Sequence, residues 1–222
     1  MKYVLEMKKG YPVIIIDGRK FMVDTGGPTI TYKDEEEVIQ INGEDVLLEV
    51  MKDRKKQDAE DIMHSYDEMI DGVIGRFTLY HFGIIEFDLI NKVVIIGETT
   101  KPKDNVLKFH GERQIFKCKV NGIETEGMLD TGTHVPMMFD HKYVENTEYV
   151  QDDWEPSYFG KIPVKEYKAV FEINGKEKEV NIYDVQGFDF MRNHEPKVYF
   201  GMSAFVDEYL VYDFNKEEIY YK

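Results

Sequence analysis

Cysteine is almost missing: Cys118 is the only one among 222 residues. That excludes an intrachain disulfide and any cysteine-only metal site, and it fits a reducing, cytoplasmic setting. Long apolar runs are missing too. The longest, Val13–Ile16 and Val93–Ile96, are far too short to cross a bilayer as a helix. The opening stretch MKYVLEMKKGYPVIIID has no apolar segment followed by a small-residue cleavage site, so no secretory signal is expected. Basic charge is scarce, with 28 Lys and Arg against 43 Asp and Glu and a net charge of −15. Such a surface repels phosphate backbones and anionic lipid, and no basic stripe offsets it, so neither nucleic acid nor membrane is an expected partner. The six histidines are scattered without HxxxH or HExxH spacing, which argues against a metal site. No glycine-rich loop followed by Lys-Ser or Lys-Thr is present, and no cofactor is expected.

What is abundant is β-prone sequence. Short β-branched and aromatic runs flank Asp17-Gly18, Asn42-Gly43, Asn121-Gly122 and Asn174-Gly175. Asn-Gly or Asp-Gly between apolar runs is the strongest short hairpin signal, and four of them predict an all-β chain. Two stretches read otherwise. Ala59, Ile62, Met63, Tyr66 and Met69 recur at helical spacing within Lys56–Met69. Phe205, Val206, Tyr209 and Leu210 suggest a second helix starting near Ser203. The polar segment Glu98–Asn105 is the best boundary and predicts units at 1–100 and 106–222.

The two halves repeat one another. Asp17-Gly18 is followed by Phe21-Met22-Val23-Asp24-Thr25-Gly26. Asn121-Gly122 is followed by Gly127-Met128-Leu129-Asp130-Thr131-Gly132. Downstream, Val73-Ile74-Gly75 matches Tyr199-Phe200-Gly201, and Ile84–Asp88 matches Leu210–Phe214. At average residue usage Asp-Thr-Gly is expected about 0.04 times in such a chain, so two copies by chance are on the order of one in a thousand. The pair is therefore a signal, whereas one copy would not be.

This arrangement resembles the aspartic peptidases of the pepsin and retropepsin kind. The resemblance implies an all-β, bilobal acid-protease fold: two retropepsin-sized lobes fused in one chain, a cleft between them, and a site complete in a monomer. It implies Asp24 and Asp130 as the catalytic pair, with Thr25, Gly26, Gly27, Thr131, Gly132 and Thr133 shaping their loops. Gly75 and Gly201 would let the backbone pass close behind. Thr133 carries a hydroxyl that Gly27 lacks, so the pair is expected to be asymmetric, with Asp24 poorer in donors. Terminal strands, Tyr3-Val4-Leu5 and Ile219-Tyr220-Tyr221, are expected to tie the lobes together. A span of 44 residues separates Asp130 from Asn174, against 18 between Asp24 and Asn42. The longer span contains an aromatic stretch expected to be a substrate-binding flap, with Trp154, Tyr158, Phe159 and Gly160 at or near its tip. The first lobe is expected to lack one.

The chemistry of two close carboxylates supports the same reading. They cannot both ionise cheaply, so they share a proton and titrate as a unit. The charged one can activate water while the protonated one polarises a carbonyl. The expected partner is a peptide or protein. Three functions share such a cleft: a general endopeptidase, a processing enzyme confined to one partner protein, and a peptide-binding module with little turnover.

Overall fold

A computed structural model describes residues 1–50, 70–157, 160–185, 196–204 and 206–222. In the first half the strands are β1 (Lys2–Lys8), β2 (Tyr11–Ile16), β3 (Arg19–Asp24), β4 (Ile30–Thr31), β5 (Glu37–Ile41), β6 (Glu44–Val50), β7 (Gly72–Gly75), β8 (Ile84–Asp88) and β9 (Val93–Ile96). The second half adds β10 (Asn105–Lys108), β11 (Ile115–Val120), β12 (Ile123–Leu129), β13 (Met137–Met138), β14 (Tyr149–Ser157), β15 (Gly160–Ile173), β16 (Lys176–Val185), β17 (Val198–Phe200), β18 (Tyr209–Asp213) and β19 (Glu218–Tyr221). Among the described residues a short helix, α1 (Arg76–Phe82), interrupts them. The chain is all-β and bilobal, as its sequence predicts.

All four predicted hairpin turns form. Asp17, Asn42, Asn121 and Asn174 take φ of 50°, 54°, 50° and 53°, and the glycine after each is also left-handed. That is the two-residue turn whose twist matches the flanking strands. The turns join β2 to β3, β5 to β6, β11 to β12 and β15 to β16.

One twelve-stranded sheet runs β10-β19-β18-β8-β9-β1-β2-β3-β7-β4-β6-β5, and a seven-stranded sheet runs β11-β12-β17-β13-β16-β15-β14. Strands from both ends of the chain therefore share the first sheet: β1 pairs with β9, and β19 lies between β10 and β18. Where the two halves meet in this sheet, β8 and β18 pair antiparallel, with Glu86 opposite Val211. This pair marks a pseudo-two-fold relation between the halves. On either side of it Asp88 caps a turn through Asn91 and Asp213 does the same through Lys216. Phe21, Phe87, Phe116 and Phe200 lie fully inside, each contributing roughly 1.5–3 kcal/mol of burial. Within each half, a strand ending at an aspartate loop is covered by a parallel partner: β3 by β7, with Asp24 opposite Gly75, and β12 by β17, with Leu129 opposite Phe200.

The expected helix near Ser203 is not there. Met202–Ala204 forms a single 3-10 turn, and β18 begins at Tyr209. Every residue of β18 is buried, so its apolar run reflects a strand covered on both faces rather than a helical stripe. Helix α1 went unexpected because only Leu79 is buried in it, leaving no periodic pattern. The helical reading of Lys56–Met69 lies outside the described residues.

Two carboxylates tie the fold to pH. Burial alone would push Glu37 up, but hydrogen bonds from Arg19, Lys33 and Thr31 outweigh it and hold the group at about 2, against an ordinary 4.5. Burial is likewise outweighed at Asp88 by Lys101 and Asn91, leaving it at about 2. Both values are depressed, so their stabilisation is complete above the unfolded-state value and is lost as pH falls from about 4 toward 2. Urea midpoints should therefore drop between pH 5 and pH 2.5, and by less in a Glu37→Gln/Asp88→Asn variant.

Candidate active site

Asp24 ends β3, Asp130 directly follows the last residue of β12, and each opens a tight loop. Behind the first loop, Arg76 N–H donates to Gly27 O at 2.8 Å and Gly75 N–H to Thr29 Oγ1 at 2.9 Å. Behind the second, Asp130 N–H donates to Phe200 O at 2.8 Å and Ser203 Oγ to His134 O at 2.5 Å. A Cβ on Gly75 would lie 2.1 Å from the Pro28 carbonyl carbon, and one on Gly201 would lie 2.2 Å from Thr133 O. Only glycine fits at either crossing.

The two loops are locked together by their threonines. Thr25 N–H donates to Thr131 Oγ1 at 3.0 Å, and Thr131 N–H donates to Thr25 Oγ1 at 3.1 Å. Each hydroxyl in turn donates across the halves, Thr25 to Leu129 O at 3.2 Å and Thr131 to Val23 O at 2.6 Å. All these groups are buried, so an unmade bond would leave a desolvated orphan. Tyr212 joins on one side only. Its hydroxyl donates to Leu129 O at 2.9 Å and lies 3.2 Å from Thr25 Oγ1. Phe87, its counterpart on β8, meets it edge-on with ring centroids 6.4 Å apart and offers no hydroxyl. Replacing Thr131 with Val strands Thr25 N–H and Val23 O, and should cost about 2–4 kcal/mol by urea denaturation. Tyr212→Phe, which restores the symmetry of the pair, should cost about 1 kcal/mol.

The carboxyls lie against the opposite loop. A Cβ on Gly26 would come within 2.3 Å of Asp130 Oδ2, and one on Gly132 within 2.4 Å of Asp24 Cγ. Asp24 Oδ1 accepts from Gly26 N–H at 2.8 Å and Gly27 N–H at 2.7 Å. Asp130 Oδ1 accepts from Gly132 N–H at 2.8 Å. Gly27 serves Asp24 with its backbone, so its missing hydroxyl does not leave Asp24 without a donor there, whereas the Thr133 N–H goes to the Asp130 carbonyl at 3.1 Å. Asp130 is held well above the usual carboxylate range. Burial is the largest cause, followed by the charge of Asp24 and a hydrogen bond with it, and the Gly132 and Gly26 N–H groups only partly offset them.

The hairpin β14–β15 stands where the flap was expected. Trp154, on β14 opposite Pro163, is 40% exposed, and Gly160 opens β15 opposite Ser157. Tyr158 and Phe159 lie outside the described residues, as does the stretch 51–69 of the first lobe. The described part of the hairpin holds a carboxylate that sequence reasoning missed. Glu155 is 1% exposed, accepts from Tyr11 Oη at 2.8 Å and lies 3.0–3.1 Å from His134 Nδ1. Nothing local marks Glu155, Tyr11 or Tyr212 in the sequence, because their partners are 21 to 187 residues away.

Among the described residues no cluster of three or more His, Cys, Asp or Glu could hold a metal ion. His141 instead meets Asp184 and His81 meets Glu44, each at 2.8 Å. Cys118 is buried, and burial, with a contribution from the charge of Glu126, pushes its thiol up to about 12, so it is unreactive. No described helix is long and apolar enough to cross a membrane.

No family model matches the chain, and no curated protein matches it. Among solved structures it is similar to the solution structure of the simian foamy virus (mac) protease, at 13% identity and a TM-score of 0.31, over 40% of this chain and 89% of that one.

Proposed function

We propose that the chain is an aspartic endopeptidase whose water-activating pair is Asp24 and Asp130, with lobes at 1–100 and 106–222 and the substrate-binding hairpin supplied by the second. One observation carries the reading. Two Asp-Thr-Gly loops, joined by reciprocal threonine hydrogen bonds, bring two carboxyls into contact, where burial and the neighbouring charge raise Asp130.

The roles follow from the surroundings. Asp24 collects two N–H donors from its own loop, which fix the orientation of its carboxyl, and it is the base. Asp130, raised by burial and by Asp24, holds the shared proton. Asp24 takes a proton from a water bound between the carboxyls as the water oxygen attacks the scissile carbonyl carbon. Asp130 gives its proton to the carbonyl oxygen, which yields a neutral gem-diol. Asp24 then passes its proton to the amide nitrogen as the C–N bond breaks. Asp130 regains one from a diol hydroxyl, and the new carboxylic acid leaves. The threonine lock holds both carboxyls before substrate arrives, so little reorganisation is left for the reaction itself. An extended peptide suits a cleft walled by a hairpin, where main-chain hydrogen bonds supply affinity and alternate side chains fill pockets.

The test is a mixed peptide library digested between pH 3 and pH 7.5. Cleavage between extended apolar residues, blocked by a peptide isostere with a hydroxyl at the scissile position, supports the proposal. An isostere that binds a folded chain which cuts nothing at any pH would make it a peptide-binding module.

A further inference from the structure

We propose that Glu155 is a positioning residue that latches the far end of the β14–β15 hairpin to the second aspartate loop and to the first lobe. It is the third residue from the tip-side end of β14, two before Ser157. Its side chain points inward, beside Ile162 across the hairpin, and there it meets two partners from elsewhere in the chain. Tyr11 comes from the start of β2, and its hydroxyl donates to Oε1 at 2.8 Å. His134, four residues after Asp130, presents Nδ1 at 3.1 Å from Oε1 and 3.0 Å from Oε2. Tyr11 Oη and His134 Nδ1 are themselves 3.1 Å apart, so one carboxylate gathers three segments at one point.

The backbone is built for this meeting. Gly10, at φ +88°, lies where a Cβ would come within 2.9 Å of His134 Cβ. A glycine in the β1–β2 turn is what lets the first lobe reach the second loop. His134 is fixed from other sides too. Its carbonyl takes the Ser203 hydroxyl, and its ring packs edge-on to Tyr183, with centroids 5.9 Å apart. Tyr183 in turn donates to Asp153 Oδ2 at 2.8 Å, two residues before Glu155 on the same face of the hairpin. Among the described residues the first loop has no such joint, and Pro28 stands where the second has His134. The latch sits on the Asp130 side.

A buried carboxyl that accepts from Tyr11 and lies against His134 Nδ1 is a directional tie. It keeps the hairpin's inner face in place before substrate arrives, so peptide binding need not bear the cost of ordering that strand. Broken, the latch should weaken peptide binding more than it slows the chemical steps.

Trp154, the only tryptophan in the chain, adjoins Glu155 and reports the hairpin whether or not the protein cleaves anything. The experiment compares acrylamide quenching of its fluorescence in the wild type, Glu155→Gln, Tyr11→Phe and, as a control distant from the hairpin tip, Glu172→Gln. Quenching should rise about twofold in both latch variants and stay unchanged in the control. On a cleaved peptide, KM should rise about tenfold while kcat stays within about threefold. Tyr11→Phe removes one hydroxyl from the other lobe, and it decides the matter if Glu155→Gln does not fold. Wild-type quenching in a folded Tyr11→Phe would overturn the latch. The kinetic arm alone rests on the peptidase reading: raised quenching without cleavage by the wild type keeps the latch and removes the peptidase, and cleavage with unchanged quenching does the reverse.

Discussion

Replacing Asp130 with asparagine should abolish cleavage and, at neutral pH, make the fold more stable. The two effects share one cause. Burial and the charge of Asp24 raise the Asp130 carboxyl, so the folded chain resists its ionisation more than the unfolded chain does. For such a group the stabilising contribution is complete below the unfolded-state value near 3.8 and is lost as pH rises through the folded-state value. The substituted amide keeps the geometry of a protonated carboxyl, since its oxygen can accept from Gly132 N–H and its NH2 can donate to Asp24. It cannot release a proton to a carbonyl oxygen. Turnover should fall by at least about a thousandfold. The urea midpoint of Asp130→Asn should exceed that of the wild type at pH 7, with the gap closing below pH 4. A variant that keeps cutting peptides would remove Asp130 from the mechanism; one that is inactive but no more stable at pH 7 would remove the raised carboxyl. Asp24→Asn should be equally inactive, because no base then remains for the water.

The second large effect concerns a backbone crossing. Gly75→Ala would drive its Cβ to 2.1 Å from the Pro28 carbonyl carbon, 2.3 Å from Pro28 O and 2.4 Å from Gly27 O. All three are main-chain atoms of the first aspartate loop and cannot swing aside as a side chain could. Relief requires β7 or the loop to move, and either displaces Asp24. A loss of about 3 kcal/mol or more is expected, with activity falling even where the fold survives in the cold. Gly18→Ala is the matched comparison. It has φ +76° and open space around it, so it should cost only about 1 kcal/mol. Similar midpoints for the two variants would mean that the crossing is not the tight point the structure describes.

What the sequence revealed was local. Four Asn-Gly or Asp-Gly turns, the doubled Asp-Thr-Gly and the two later glycines each lie within a few residues of the feature they define. Tyr212, Tyr11 and Glu155 escaped notice because each acts on a group brought near only by the folded sheets. Tyr212 also sat inside a run that reads as plain core, and its hydroxyl differs from the Phe87 counterpart by one atom. The part played by Gly27 was out of reach for a related reason: sequence shows that Gly27 lacks a hydroxyl, but not that its N–H points at Asp24. The helix read near Ser203 failed because Val206, Tyr209 and Leu210 belong to a turn and a fully covered strand, where spacing carries no information about period.

The pairing of β8 with β18 has a consequence for assembly. Glu86 is 1% exposed and accepts from Thr99 and Thr100 beside it, while Val211 faces it across the axis. Expressed as separate chains, two copies of the first half meeting about that axis would set Glu86 against Glu86, two acids crowded where water cannot separate them. A first half meeting a second half finds a valine there. The halves are similar in plan but unlike at this position, so fragments mixed in solution should sort into heterodimers.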